Sequence, residues 1–263
     1  MGRTVKTKLM GICLPVLLVL CLCSACVFAP DLNLDTETND KGETNVNLTQ
    51  RQMEILEKEG LSTDYHALLT SQKRDIMAIE EMLCYLEETY GKPAEYVSFT
   101  QGSKINPEAL RARLGDVVVT LERTQQDGQY IYQDDYAAVL AKPDYEAQLA
   151  EFFRAQNLEV LVFSNIVMKD TQVEQLLGKV SGSAFVFINK ELSHQELAAL
   201  TEAYAQWYAP QLQGRSNTTR MYATSQALFA ELTEENYLDR QQEVPEAQKV
   251  MCHLYPDGSF KID

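Results

Sequence analysis

Hydrophobic and polar positions along the chain follow two different rhythms. Some stretches repeat apolar residues at steps of three and four, which places them on one face of a helix. Others run apolar for four or five residues without a break, as strands covered on both faces do. The first helical stretch opens with a capping box, Thr49 and Gln52, ahead of Met53, Ile55 and Leu56, and stops at Gly60. A longer helix is expected over 71–90 with Thr70 as its cap. Ile76, Ile79, Leu83, Leu86 and Tyr90 form its core stripe, and Gly91 and Pro93 end it. Glu80, Glu81, Glu87 and Glu88 fall largely off that stripe and read as a solvated face.

Beyond this helix the pattern turns to strands. Tyr96–Thr100 and Val117–Leu121 read as strands, and Asp127-Gly128 turns the second into Gln129–Tyr132 as a hairpin. Pro143 is expected to open a helix that shares Tyr145, Leu149, Phe152 and Phe153 on one face. LEVLVF (158–163) and AFVFI (184–188) read as central strands, with two helical turns in TQVEQLLGK between them. A second capping box, Ser193 and Glu196, starts a helix carrying Leu197, Leu200, Tyr204, Trp207 and Tyr208 inward until Pro210. TTRMYA (218–223), a short helix near 224–232, and KVMCHLY (249–255) before the turn Pro256-Asp257-Gly258 follow. This order predicts an α+β fold, a mixed sheet of about five to seven strands with packed helices. The alternative is α/β with a parallel core, because residues 158–232 alternate strand and helix; adjacent parallel placement of 158–163 and 184–188 would favour it.

Two segments ahead of these elements have no such rhythm. MGRTVKTK bears Arg3, Lys6 and Lys8, and GICLPVLLVLCLC follows as an apolar run shorter than the ~20 residues of a membrane span. A basic head, an apolar run and small residues describe a secretory signal. The run ends in CLCSAC (21–26), where Ser24 and Ala25 precede Cys26. Three cysteines in an apolar run lack the polar groups that orient metal ligands. Residues 27–46 are polar and acidic without a period and read as a disordered tether. Asp31, Asn33 and Asp35 imitate the start of a calcium loop, but Thr36 replaces its turn glycine and Gly42 its bidentate glutamate.

Ser-Ala-Cys after a leucine-rich core resembles the lipobox of bacterial lipoproteins, with Cys23 where that family usually has leucine. The resemblance implies a signal over 1–25, cleavage before Cys26, and a diacylglyceryl group on the Cys26 thiol. The expected organisation is then lipidated Cys26 and tether over 26–46, and a single globular domain over 47–263. Residues 48–65 and 69–92, LTQRQMEILEKEGLSTDY and LTSQKRDIMAIEEMLCYLEETYGK, are similar to a segment of uncharacterised lipoproteins of clostridia-like Gram-positive bacteria. That likeness implies an anchor at the membrane and no activity.

Charge narrows the classes of partner. The net charge of −15 becomes −18 when the three basic residues of the leader are removed. Such a surface repels nucleic acid. Only Cys84 and Cys252 remain besides Cys26, either as one disulfide or as two unpaired thiols.

Motifs for catalysis are missing: no G-x-S-x-G, H-E-x-x-H, S-x-x-K, Walker loop or G-x-G-x-x-G occurs. His66, His194 and His253 stand in three separate contexts, and Cys252 and His253 as strand neighbours point to opposite faces. Tyr204, Trp207 and Tyr208 follow the core stripe, which favours packing over a carbohydrate platform. No catalytic residue, cofactor site or metal site is assigned. The sequence therefore points to an extracytoplasmic, lipid-anchored, non-catalytic module that binds an unknown protein or small molecule. A solute-binding lipoprotein of a transporter and an envelope hydrolase are the alternatives.

Overall fold

The computed structural model describes residues 36–38, 44–103, 105–168 and 176–263. The leader, Cys26, most of the acidic stretch and residues 171–175 of the expected helical turns lie outside them. Within the stretch read as a tether, β1 (Thr36–Thr38) pairs antiparallel with β2 (Thr44–Val46), Glu37 opposite Asn45. No element is expected there. Threonine and valine favour extended backbone, and three residues a side suffice for a ladder, although such an isolated pair is marginal in water.

α1 (Gln50–Lys58) begins at the predicted capping box: Gln52 N–H donates to Thr49 Oγ1 at 3.1 Å, and Thr49 N–H donates to Gln52 Oε1 at 2.9 Å. α2 (Thr70–Tyr90) starts one residue earlier than expected. Thr70 is already helical, and the cap is Leu69, whose N–H donates to Gln72 Oε1 at 2.8 Å. Gly91, at φ 62°, ends it as predicted.

β3 (Ala94–Thr100), β4 (Glu108–Leu114), β5 (Val117–Gln126) and β6 (Gln129–Asp134) form an antiparallel meander. The left-handed Asp127 and Gly128 (φ 51° and 80°) make the predicted two-residue turn between β5 and β6. β4 is absent from the sequence expectation. Its EALRARL is rich in helix formers, yet Leu110, Ala112 and Leu114 alternate inward against exposed Arg111 and Arg113. The inner face of this sheet, with Val119 and Leu121, buries the apolar stripe of α2 and Ile55 and Leu56 of α1.

α3 (Tyr136–Arg154) begins seven residues before Pro143, which therefore sits inside the helix rather than opening it. Proline leaves the Val139 carbonyl without its helical N–H partner. The burial of Tyr145, Leu149 and Phe153 beyond it holds the helix together. A mixed five-stranded sheet follows, built from β7 (Val160–Val167), β8 (Ser181–Ile188), β9 (Asn217–Ala223), β10 (Lys249–Leu254) and β11 (Phe260–Ile262). Its order is β11-β10-β9-β8-β7, and only β8 and β9 run parallel. α5 (His194–Tyr208) makes the crossover between those two, and α4 (Leu176–Lys179) is a single turn before β8.

The fold is α+β. Strands 158–163 and 184–188 are adjacent but antiparallel, so the parallel-core alternative is set aside. β7 is also an edge strand, not a central one. Its apolar run has another cause: Val160 and Val162 face the core under α3 and α5. Leu161 and Phe163 face a second cluster with Phe229, Leu232 and Tyr237, beside α6 (Gln226–Ala230) and α7 (Tyr237–Arg240). Both faces of an edge strand can be covered. The five-stranded sheet is the expected mixed sheet, and among the described residues of 47–263 the four-stranded meander stands as a second sheet with its own buried cluster; α3 contributes Tyr136 to the cluster of the meander and Ala138 onward to that of the mixed sheet.

Candidate functional site

A polar cluster lies where α1 packs on α2. Glu80, Cys84 and Glu87 stand at steps of four and three on α2, so all three face α1. Arg51 of α1 reaches across, donating to Glu80 Oε1 at 2.7 Å and to Glu87 Oε1 at 2.8 Å, with Cys84 Sγ at 3.3 Å. Glu87 Oε1 also accepts from the N–H of Ala94, at 3.0 Å, where β3 begins. The hydrogen bonds and charge of Glu80 and Glu87 hold the Arg51 guanidinium protonated more firmly than usual. Burial, with the Glu80 charge next in weight, pushes the Cys84 thiol up, away from the reactive thiolate.

The next residue of the helix serves a second cluster. Glu81 Oε2 accepts from Arg123 Nη1 at 2.7 Å, and Arg123 Nε donates to Glu108 Oε2 at 2.7 Å. The Tyr132 hydroxyl donates to Glu81 Oε1, and the Tyr132 ring stacks on Tyr85 at 4.4 Å. Arg123 is 4% exposed, with the Tyr130 ring 4.1 Å from its guanidinium carbon. Burial, then the Glu81 hydrogen bond, raises the Tyr132 phenol.

The expectation of a solvated acidic face is thus corrected: Glu80 is 7% exposed and Glu81 and Glu87 are ion-paired, while Glu88 alone of the four is exposed. Arginines neutralise these carboxylates and tie α1 to α2 and α2 to the sheet. The sequence carried no signal for it, because Arg51 and Arg123 stand 29 to 42 residues from their partners on α2.

In the second half of the chain, Tyr204 and Tyr208 are fully buried, which answers the platform reading in favour of packing. The Tyr145 and Tyr208 hydroxyls lie 3.2 Å apart. Asn217 Nδ2 donates to the Tyr208 hydroxyl at 3.1 Å and to the Val180 carbonyl at 2.9 Å, and Tyr208 donates to the Leu177 carbonyl at 3.3 Å. Leu177 leads from this network to a cavity of about 330 Å³ lined by Gln148, Leu177, Gly178, Pro210, Gln211 and Gln213. Gly178 is needed there. A Cβ would stand 2.7 Å from the Gln211 carbonyl oxygen, so the chain approaches closely only without one. The lining combines the amides of Gln148, Gln211 and Gln213, the second of which donates to the Trp207 carbonyl at 2.9 Å, with the apolar groups of Leu177 and Pro210.

The histidines remain apart, as expected. His66 and His194 are exposed. His253 places Nδ1 3.2 Å from Thr218 Oγ1 and Nε2 3.3 Å from the Asp263 carboxylate. Its neighbour Cys252 faces the buried core, where burial pushes the thiol up to about 11. Cys84 and Cys252 are both free thiols. Among the described residues, no group of three or more His, Cys, Asp or Glu is arranged to hold a metal ion, and no helix is long and apolar enough to cross a membrane. Cys26, the one site residue assigned from sequence, lies outside the described residues.

No protein-family model matches the sequence, and neither does any curated protein. Among solved structures, a DUF5037 family protein from Ruminococcus gnavus ATCC 29149 is similar at 15% identity, over 70% of this chain and 94% of that one, with a TM-score of 0.41.

Proposed function

We propose that this chain is a membrane-anchored extracytoplasmic lipoprotein, tethered through a lipid on Cys26, whose folded part is a non-catalytic binding or interaction module of the cell envelope. The observation that carries the anchor is the order of elements in the first 26 residues: basic head, leucine-rich core, Ser24, Ala25 and Cys26. Partner chemistry follows from how the domain uses its polar groups. The carboxylates of α2 that could have served as acid and base are engaged by Arg51 and Arg123 in structural ion pairs. The cavity is lined by glutamines, leucine, glycine and proline, a set that supports binding over hydrolysis.

The reading is tested by replacing the lipid-bearing thiol. The Cys26→Ser chain should leave the membrane fraction while keeping its melting temperature. Continued membrane retention with no fatty acid incorporated would contradict it.

A further inference from the structure

Four strands end the two sheets: β3, β6, β7 and β11. An unguarded edge offers a row of backbone donors and acceptors to another strand, so folded proteins blunt such edges. β3 is interrupted by a bulge between Tyr96 and Ser98, and the Lys58 ammonium donates to the carbonyls of Tyr96 and Val97 at 2.9 and 3.3 Å. β11 has only three residues. Of the edge strands whose chain neighbours are all described, β6 has none of these guards. Its first five residues, Gln129-Tyr130-Ile131-Tyr132-Gln133, carry no charge and no proline, and Tyr130 and Ile131 are 47% and 46% exposed.

Those five residues read the same in both directions. We propose that β6 is a self-pairing edge, on which a second copy of this chain docks antiparallel about a two-fold axis through Ile131. Antiparallel pairing about that residue sets Ile131 opposite Ile131 of the second copy, Tyr130 opposite its Tyr132, and Gln129 opposite its Gln133. Identical or matched side chains then meet in every row, the isologous arrangement of a two-fold dimer.

The backbone is in phase with this register. Gln126 and Gln129 close the two-residue turn, and Asp135 N–H donates to the Thr120 carbonyl at 3.2 Å. In an antiparallel ladder the hydrogen-bonded pairs alternate, so Gln129, Ile131 and Gln133 turn their N–H and C=O toward β5. Tyr130 and Tyr132 turn theirs to the open side. A two-fold axis at Ile131 therefore brings the free groups of Tyr130 against those of Tyr132 in the other copy, giving two closely bonded pairs. The two Ile131 residues form the non-bonded pair between them, with Cα atoms about 4.5 Å apart.

Charge permits the approach even for a chain of net charge −15. No like charges meet within the paired segment, and the first charged residue, Asp134, falls opposite Gly128. The result is one continuous sheet of eight strands. One short strand edge covers less than the ~1,200 Å² at which stable interfaces begin, so the dimer is weak and concentration-dependent.

Crosslinking tests the register directly. Cα atoms about 4.5 Å apart suit a disulfide, whereas Gln133 on the same face would stand roughly 14 Å from its own copy. The full chain carrying Ile131→Cys, oxidised beside the unsubstituted chain and a Gln133→Cys chain, should give a reducible dimer well above the level that the natural cysteines give in both controls. Sedimentation supplies the second arm. The unsubstituted chain should gain mass with concentration, and Ile131→Lys, at an exposed position, should stay monomeric with an unchanged melting temperature. Equal crosslinking of all three chains, or self-association of Ile131→Lys like that of the unsubstituted chain, would overturn the proposal.

Discussion

Arg123 lies almost wholly out of solvent, gripped by Glu81 and Glu108 with the Tyr130 ring beside its guanidinium. Removing such a partner leaves two carboxylates uncompensated in a largely dry place, which costs about 3–5 kcal/mol when a buried pair is broken. Arg123→Ala should therefore lower the urea midpoint strongly. Arg51→Ala should lower it less, because the Arg51 side chain keeps 30% of its surface in water. A urea series on both variants checks the order. Glu146 presents the opposite case. Burial raises its carboxyl above the ordinary range, against the Ser164 hydrogen bond and the Lys142 charge, which lower it, and with the nearby Glu234 adding to the rise. A carboxyl raised in the folded state stabilises most below its unfolded value and loses that contribution as pH rises through the native one. At neutral pH the ionised Glu146 is thus a net cost. Glu146→Gln, which can still accept from the Ser164 hydroxyl, should raise the melting temperature at neutral pH, with the gain shrinking as pH falls toward about 4. Neither cluster was legible beforehand. A carboxylate on a helix looks solvated until the residue that folds over it is known.

Elements that carry their own local signals were legible. The capping boxes at Thr49 and Ser193 and the Asp127-Gly128 turn satisfy or shape the backbone within a few residues, and they stand where the sequence predicts. Elements decided by distant partners were not. β4 is a strand because Leu110, Ala112 and Leu114 find β3, β5 and α2, overriding the helix-forming character of EALRARL. α3 passes through Pro143 because burial on both sides of it outweighs one missing hydrogen bond. At the start of the domain, β1 and β2 pair with each other in a sheet of their own. The Thr49 box is the first cap of a helix that reaches the core. A chain shortened to begin at Asn47 should therefore melt within a degree or two of one beginning at Val27. A calorimetric comparison decides it: a fall of many degrees would make the acidic stretch part of the fold.

At the scale of the molecule, the α+β class was legible from the alternation of periods, but the number of sheets was not. Pairing β8 in parallel with β9, across α5, and antiparallel with β7 depends on which faces the helices cover, and periodicity does not report that. The proposed anchor belongs to this scale as well, since it would set where the domain works and the partners it meets. Its most direct measurement is the intact mass and N-terminal sequence of the mature protein from the membrane fraction of its native cells. The account predicts a chain beginning at Cys26 whose mass exceeds that of the polypeptide by a thioether-linked diacylglyceryl group, all of it lost in Cys26→Ser. A mature chain that begins elsewhere, or one that begins at Cys26 with a free thiol, would contradict it.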